Sequence, residues 1–338
     1  MEWTGLSPDD ARENLEQKDK SKRDKRMSLT EAVKEFVKDG DHVGVGGFVN
    51  SRPPVAIAHE IIRQGRQDLS LAFQSAGLVP DYLMGAMAIR PDHLSISRLE
   101  FAYVGHEYAG TSSMLRYMTE NNKIVIEDWT NYNMSTRFKA GSMGLPFLPT
   151  RSGLSGDIEK CNRSQYIKCP FTDRDILLVP ACHPDVGIIH VQEADIYGNC
   201  RIKGQTFTCP EMAMASKNVI VTCEKLVEHD VIATEPTRTS IPYFAVDAVV
   251  ELPFGSFPGL CHDIHYYGKT HLEYYKGLTN GFRKGVVEPL REYFDKYVFG
   301  VKDTDGFIGL MPYEQLKYAR QVESRSLHLQ QGLQDPGA

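Results

Sequence analysis

The chain has 338 residues, 41% hydrophobic and 24% charged, with a formal net charge of −6. That balance fits a soluble globular protein, large enough for two average domains or one large α/β domain. The mild acidity argues against a nucleic-acid partner, which needs a basic surface, and no apolar run approaches the ~20 residues that span a bilayer.

Residues 1–26 are dense in both charge signs and nearly free of aliphatic residues. They lack the apolar stretch of a secretory signal and read as a charged, disordered extension with partial helix at most. A helix is expected over Ser28–Lys38, because Ser28 with Glu31 three residues on makes a capping box. Asp41–Phe48 reads as a short strand running into a glycine turn, and Pro53-Pro54 opens a helix through Arg63. Asp68–Gln74 reads as a second strand, Asp81–Ala88 as a short helix, and His93–Val104 as a strand. Ser112–Asn121 reads as a helix and Lys123–Trp129 as a strand. Asn131–Met143 follows as a helix with Ser135, Arg137 and Lys139 on its polar side.

Prolines at 146 and 149 make Leu145–Pro149 extended, and the chain to Arg174 is loop-rich. Four apolar runs follow: Ile176–Ala181, Val186–Val191, Asn218–Val221 and Ala245–Leu252. They fit strands buried on both faces of a mostly parallel sheet. Asp195–Asn199 is a turn. From Lys269 the pattern is helical, amphipathic over Val286–Phe299, and beyond about Ser324 it turns to a polar, fraying tail.

The seven cysteines show no C-x-x-C spacing, which fits reduced thiols in the cytoplasm. His262, His265 and His271 form H-x2-H-x5-H, which matches neither a zinc finger nor H-E-x-x-H, so no metal is expected. Gly44-Val45-Gly46-Gly47-Phe48 sits between strand and helix, but Val49 occupies the third glycine position of a dinucleotide fingerprint. Gly268-Lys269-Thr270 lacks the upstream glycine of a P-loop, with Asp263 at that position, and no G-x-S-x-G elbow occurs. The glycine pair still permits close backbone approach by a ligand, or serves as a tight turn alone. Glu127, near the end of its strand, is a carboxylate where α/β proteins place sites, or a solvated strand end.

In order, these segments resemble a known family. Asp39-Gly40, the strand to Val45, Gly46-Gly47-Phe48 and Pro54 are similar to the N-terminal signature of family I CoA-transferases. Arg52-Pro53-Pro54 looks like the glutaconate CoA-transferase branch, in its alpha subunit. Leu145–Pro149, Val186–Gln192, Asp195–Asn199, Val219–Glu224, Pro236–Pro242 and Val246–Val250 resemble that subunit in the same order. The similarity covers about residues 27–300, followed by a C-terminal helical segment and tail over 301–338. Gly44 within the apolar triplet, Phe257-Pro258 and His262–Tyr267 depart from the family pattern.

The resemblance implies an open, mostly parallel α/β sheet with helices on both faces, the CoA-transferase fold of the NagB/RpiA-like kind. It implies transfer of CoA from an acyl-CoA to a carboxylate, with a CoA thioester as substrate and no bound cofactor. A glutamate attacks the thioester, giving an anhydride and then an enzyme–CoA thioester. The family carries that glutamate on the beta subunit, in S-E-N-G or E-S-G, and neither occurs here; Glu323-Ser324-Arg325 is the nearest match. The implied partner is a beta subunit, in a heterotetramer or heterooctamer. Gly46, Gly47 and Phe48 are then the loop facing the partner, with glycine N–H groups as candidate oxyanion donors. Arg52 is a candidate carboxylate anchor, or a surface ion pair. Gln74, Ser75 and Gly77 line the acyl group, with Ser75 otherwise a helix cap. Two rival readings stand beside this one. One is a subunit of a two-chain hydrolase that opens a ring of a steroid-derived CoA thioester using Glu127; the other is a non-catalytic scaffold.

Overall fold

The structure, a computed structural model, describes residues 3–106 and 110–330, with the side chains of 322–330 left aside. In chain order the elements begin α1 (Pro8–Gln17), α2 (Leu29–Phe36), β1 (His42–Val45), α3 (Val55–Gln64), β2 (Leu69–Ala76) and α4 (Leu78–Ile89). They continue β3 (Ile96–His106), β4 (Gly110–Thr111), α5 (Ser113–Glu120), β5 (Val125–Asp128) and α6 (Asn131–Ser142). Next come β6 (Phe147–Thr150), β7 (Gln165–Lys168), β8 (Asp175–Pro180), β9 (Val186–Ala194), β10 (Cys200–Arg201), α7 (Cys209–Ala215) and β11 (Asn218–Leu226). The chain closes with α8 (His229–Ala233), β12 (Ala248–Glu251), α9 (Lys269–Arg283), α10 (Glu288–Phe294), α11 (Thr304–Gly309) and α12 (Tyr313–Gln330). Ser28 caps α2 in a complete capping box with Glu31, which satisfies two N-terminal donors reciprocally.

Strands β12, β11, β9, β1, β2, β3 and β5 run parallel in that order, with β4 and β10 antiparallel at the margins. The order reverses at β1. The chain steps from β1 through β2 to β3, then returns to lay β9 on the other side of β1. The carboxyl ends of β1 and β9 therefore frame a topological switch point, where open α/β sheets leave a crevice. On one face α2, α3, α4, α9 and α10 bury a core that includes Ile57, Leu71, Tyr82 and Phe294. On the other, α6 and α7 bury Phe138, Met212 and Cys209.

Four expectations need correction. The run Ile176–Ala181 does not join the parallel sheet; β8 pairs antiparallel with β6 and β7 in a separate sheet. Apolar content alone does not distinguish the two settings. Arg137 is not on a polar face of α6; it is 1% exposed, its Nη2 2.7 Å from the Glu100 carboxylate and its guanidinium 4.4 Å from the Trp129 ring centre. The charged N-terminal segment is not a solvated extension. The Thr4 hydroxyl donates to Glu100, Leu6 N–H donates to the His183 carbonyl at 3.1 Å, and Lys18 pairs with Asp247 at 2.7 Å. Lys25 is 2% exposed, with Nζ donating to the Tyr243 carbonyl. Charge density misleads there because each buried ammonium meets carbonyls or a carboxylate. At the other end α12 runs through Ser324 to Gln330, beyond the expected start of fraying, and residues 331–338 lie outside the described residues.

Candidate functional site

The turn leaving β1 is closed by its own backbone. Gly46 N–H donates to the Ile188 carbonyl at 2.9 Å, Phe48 N–H to Ser51 at 2.9 Å and Ser51 N–H to Phe48 at 2.7 Å. Gly47 N–H points at the Cys209 sulfur, 3.2 Å away. The N–H groups of Gly46 and Gly47, candidate oxyanion donors, are thus both engaged inside this chain, as is that of Phe48. Gly47 has φ +80°, and a Cβ there would lie 2.6 Å from the Arg52 carbonyl oxygen and 2.7 Å from that of Ser51. Glycine is required on both counts. Val49 and Arg52 also have positive φ, 49° and 52°. Such conformations are costly for side-chain-bearing residues, above all β-branched ones, and persist only where surrounding structure enforces them.

Arg52 is neither exposed nor ion-paired among the described residues. It is 1% exposed, with Nη2 donating to the Gln205 carbonyl at 2.5 Å and Nη1 to the His190 carbonyl at 3.4 Å. The guanidinium thus braces β9 and the 203–207 segment against the turn. That segment returns Phe207 to stack on Phe48, with ring centres 4.6 Å apart. Ser75 is buried, its hydroxyl donating to Asn131 Oδ1 at 2.7 Å rather than capping a helix. Gly77 precedes α4 where a Cβ would meet the Gly105 carbonyl oxygen at 2.5 Å, so close packing explains it.

Gln74 opens into a cleft of about 370 Å³ shared with Tyr132, Ser135, Lys139, Phe207 and Glu211. Gln74 Oε1 and Glu211 Oε2 are buried there without hydrogen-bond partners, and no carboxylate pairs with Lys139 among the described residues. A buried acceptor without a donor is unfavourable. The cleft therefore sets a cation and two aromatic rings over two buried, unpaired acceptors, the mixture of apolar wall and convergent polar groups that ligand sites show. The sequence reading placed Lys139 only on a polar helix face and missed Phe207 and Glu211. Their one sequence signal is proximity to Thr208-Cys209-Pro210, which starts α7.

Glu127 lies elsewhere. Gly44, Ala72, Glu100 and Glu127 occupy one row across β1, β2, β3 and β5. Three strand steps separate Glu127 from β1, about 14 Å, in a row about 7 Å before Gly46. The carboxylate is 2% exposed, accepts from Arg163 Nε at 2.8 Å and Arg163 N–H at 3.1 Å, and lies 3.4 Å from Arg98 Nη1. Neighbouring Glu100 is held well below the usual carboxylate range. Burial pushes it up, but Arg137, His42 and Arg163 outweigh burial.

A second buried polar group flanks the switch point. Glu224, near the end of β11, takes His190 Nε2 at 2.9 Å, His265 Nε2 at 3.1 Å and Phe254 N–H at 2.7 Å. Burial raises its carboxyl, but hydrogen bonds from His190 and His265 overcome this and bring it down to about 2. Donor atoms of His190, Glu224 and Cys261, and of His42, Glu100 and Cys182, come within 4.8 Å of one another. The second trio is crowded by Arg137 and Arg163. The expected histidine series is scattered: His265 is in the Glu224 cluster, His271 bonds the Tyr293 hydroxyl at 2.8 Å, and His262 is largely exposed. The cysteines are free thiols, and no helix among the described residues is long and apolar enough to cross a membrane.

Residues 26–252 match the model of the family described as Coenzyme A transferase. The chain is 34% identical to the A subunit of 3-oxoadipate CoA-transferase from Pseudomonas knackmussii, over 83% of this chain and 96% of that one. It is 29% identical to the A subunit of glutaconate CoA-transferase from Acidaminococcus fermentans, over 92% and 99%. The crystal structure of that organism's glutaconate coenzyme A-transferase superposes with a TM-score of 0.80, covering 88% of this chain and 95% of its own. The cholesterol ring-cleaving hydrolase IpdA subunit of Rhodococcus jostii is 26% identical over 72% of this chain and 83% of its own.

Proposed function

We infer function from one premise: the chain belongs to the coenzyme A transferase family, as a subunit of the alpha kind. Within it we propose an alpha subunit that moves CoA between an acyl-CoA and a carboxylate, with a beta subunit supplying the attacking glutamate. A heterotetramer or heterooctamer is the proposed assembly. The cleft beside the glycine turn is the alpha-chain wall of the acyl pocket, and Lys139, not Arg52, is its carboxylate anchor. Gln74 lines the wall; Gly46, Gly47, Arg52, Ser75 and Gly77 hold its shape, and Phe48 supports it through Phe207.

The observation that carries this reading is the contrast among the carboxylates of the main sheet and the cleft. Glu100, Glu127 and Glu224 are buried and held by cations or imidazoles. A glutamate that forms an acyl anhydride must reach a thioester carbonyl, which clamped carboxylates cannot do. Glu211 is the one carboxylate that lines the cleft. The same geometry counts against ring hydrolysis through Glu127, whose lone pairs face Arg98 and Arg163 instead of solvent.

The test is to produce the chain alone and with the beta subunit encoded beside it. Each sample is assayed for acetate-dependent transfer from glutaconyl-CoA, 3-oxoadipyl-CoA and monocarboxylic acyl-CoA esters. Activity only in the pair, with the CoA adduct mapped to a partner glutamate, supports the proposal. An adduct on Glu211, or thioester or ring hydrolysis needing no acceptor, overturns it.

A further inference from the structure

Glu224 Oε2 is taken by Phe254 N–H, and Oε1 faces Nε2 of both His190 and His265. His190 Nδ1 faces the Thr222 hydroxyl at 2.8 Å, which can donate or accept. His265 Nδ1 faces the Tyr266 carbonyl at 3.1 Å, which only accepts. Nε2 of the same ring lies against the Glu224 carboxylate, so the imidazole bridges a main-chain carbonyl and a buried carboxylate in a site where both side chains are nearly inaccessible. The Ser256 hydroxyl at 3.3 Å from His265 Nε2 adds a further polar neighbour.

This cluster grips both ends of the segment from Phe254 to His265. The middle of that segment holds the strained turn. Arg52 N–H donates to the Leu260 carbonyl at 2.7 Å, Leu260 N–H to Asn50 at 2.7 Å, and Ala56 N–H to Gly255 at 2.9 Å. His190 also lends its carbonyl to Arg52 Nη1. A turn with positive φ at Val49 and Arg52 needs such outside support, and these bonds lead back to Glu224.

We propose that Glu224, His190 and His265 are positioning residues, a buried latch that sets the Gly46–Arg52 turn and so the acyl-pocket wall. The proposal rests on the transferase reading for its consequence, though not for its geometry. Other groups facing the cluster are the Cys261 thiol, which burial keeps protonated, and the charges of Arg52, Lys203 and Asp263. The Arg320 guanidinium lies 5.2 Å from the Phe254 ring centre, and that ring stacks on His265.

The test uses the full chain, labelled with ¹⁵N-histidine and co-produced with its beta subunit. A long-range ¹H–¹⁵N spectrum at neutral pH, assigned by loss of one signal in His265→Gln, is expected to show His265 Nδ1 protonated, as its carbonyl partner requires. In Glu224→Gln, hydrogen exchange at the Arg52 and Leu260 amides should accelerate on the order of tenfold while Val43 on β1 stays protected, with kcat/KM falling about tenfold. An unprotonated His265 Nδ1, a stoichiometric zinc ion among these side chains, or exchange rising equally at Val43 overturns the latch. The wild-type spectrum decides the matter if Glu224→Gln does not fold. Loss of the transferase reading, by contrast, shows only in the activity assay.

Discussion

Around Glu100 and Glu127 every carboxylate meets a guanidinium; at Gln74, some 8–12 Å away by strand spacing, and at Lys139 and Glu211 beside it, polar groups lack such partners. Both regions lie on the α6 side of one sheet, and both hold glutamates and cations. They differ in closure. The first is sealed by α6, by Arg163 and by the N-terminal segment through Thr4; the second opens to a cleft. Charge that is matched in the dark builds architecture, and charge left unmatched beside the cleft is what the proposed acyl pocket offers a substrate.

Breaking the sealed region should have the largest effect. Arg137→Met leaves Glu100 short of its closest buried counter-ion, an imbalance that costs about 3–5 kcal/mol, read as the shift of a urea unfolding midpoint. Activity per folded molecule should survive. Next in size is the pH response of the Glu224 cluster. Its carboxyl is depressed in the fold, to about 2, against about 4.3 in an unfolded chain. The contribution is therefore complete above about pH 4.3 and is lost as pH falls toward 2, about 3 kcal/mol in all. Glu224→Gln should remove that slope, measured as the difference between variant and wild-type stability across this window.

Gly47→Ala sharpens the comparison at the open region. Its Cβ would press on two carbonyl oxygens, so stability should fall by about 1–2 kcal/mol and kcat/KM with it. Smallest in stability is Lys139→Ala, which should leave the melting temperature unchanged. It should lower kcat/KM roughly tenfold for acyl groups with a distal carboxylate, and not for monocarboxylic ones. An equal loss on both substrate classes refutes the anchor assignment.

The alternating elements of the main sheet were legible because capping, proline position and apolar runs are local signals. The capping box at Ser28 and the turn at Gly46-Gly47 stand where the residues put them. Arg137, Arg52 and Lys25 were misplaced for one reason. A buried cation is recognised by the carboxylates, carbonyls and rings that receive it, and Glu100, His190 and Tyr243 are distant in sequence. Of the cleft, Gln74 stands near the end of an apolar strand pattern, but Lys139 and Phe207 reach it only through tertiary packing. His190 and Glu224 did leave a trace, as titratable residues within and at the end of the apolar runs Val186–Gln192 and Val219–Glu224.

The N-terminal segment also has a consequence in time. Lys18 finds Asp247, 229 positions further along the chain, and Lys25 and Leu6 wait for Tyr243 and His183 in the same way. At 5–20 residues per second, a ribosome needs roughly 10–45 s to deliver Asp247 after Lys18. This stretch is thus synthesised long before the residues that fix its place, and until they arrive Glu100 lacks one of its donors and the β11–β12 margin lies bare. A chaperone that holds nascent chains has its longest opportunity there.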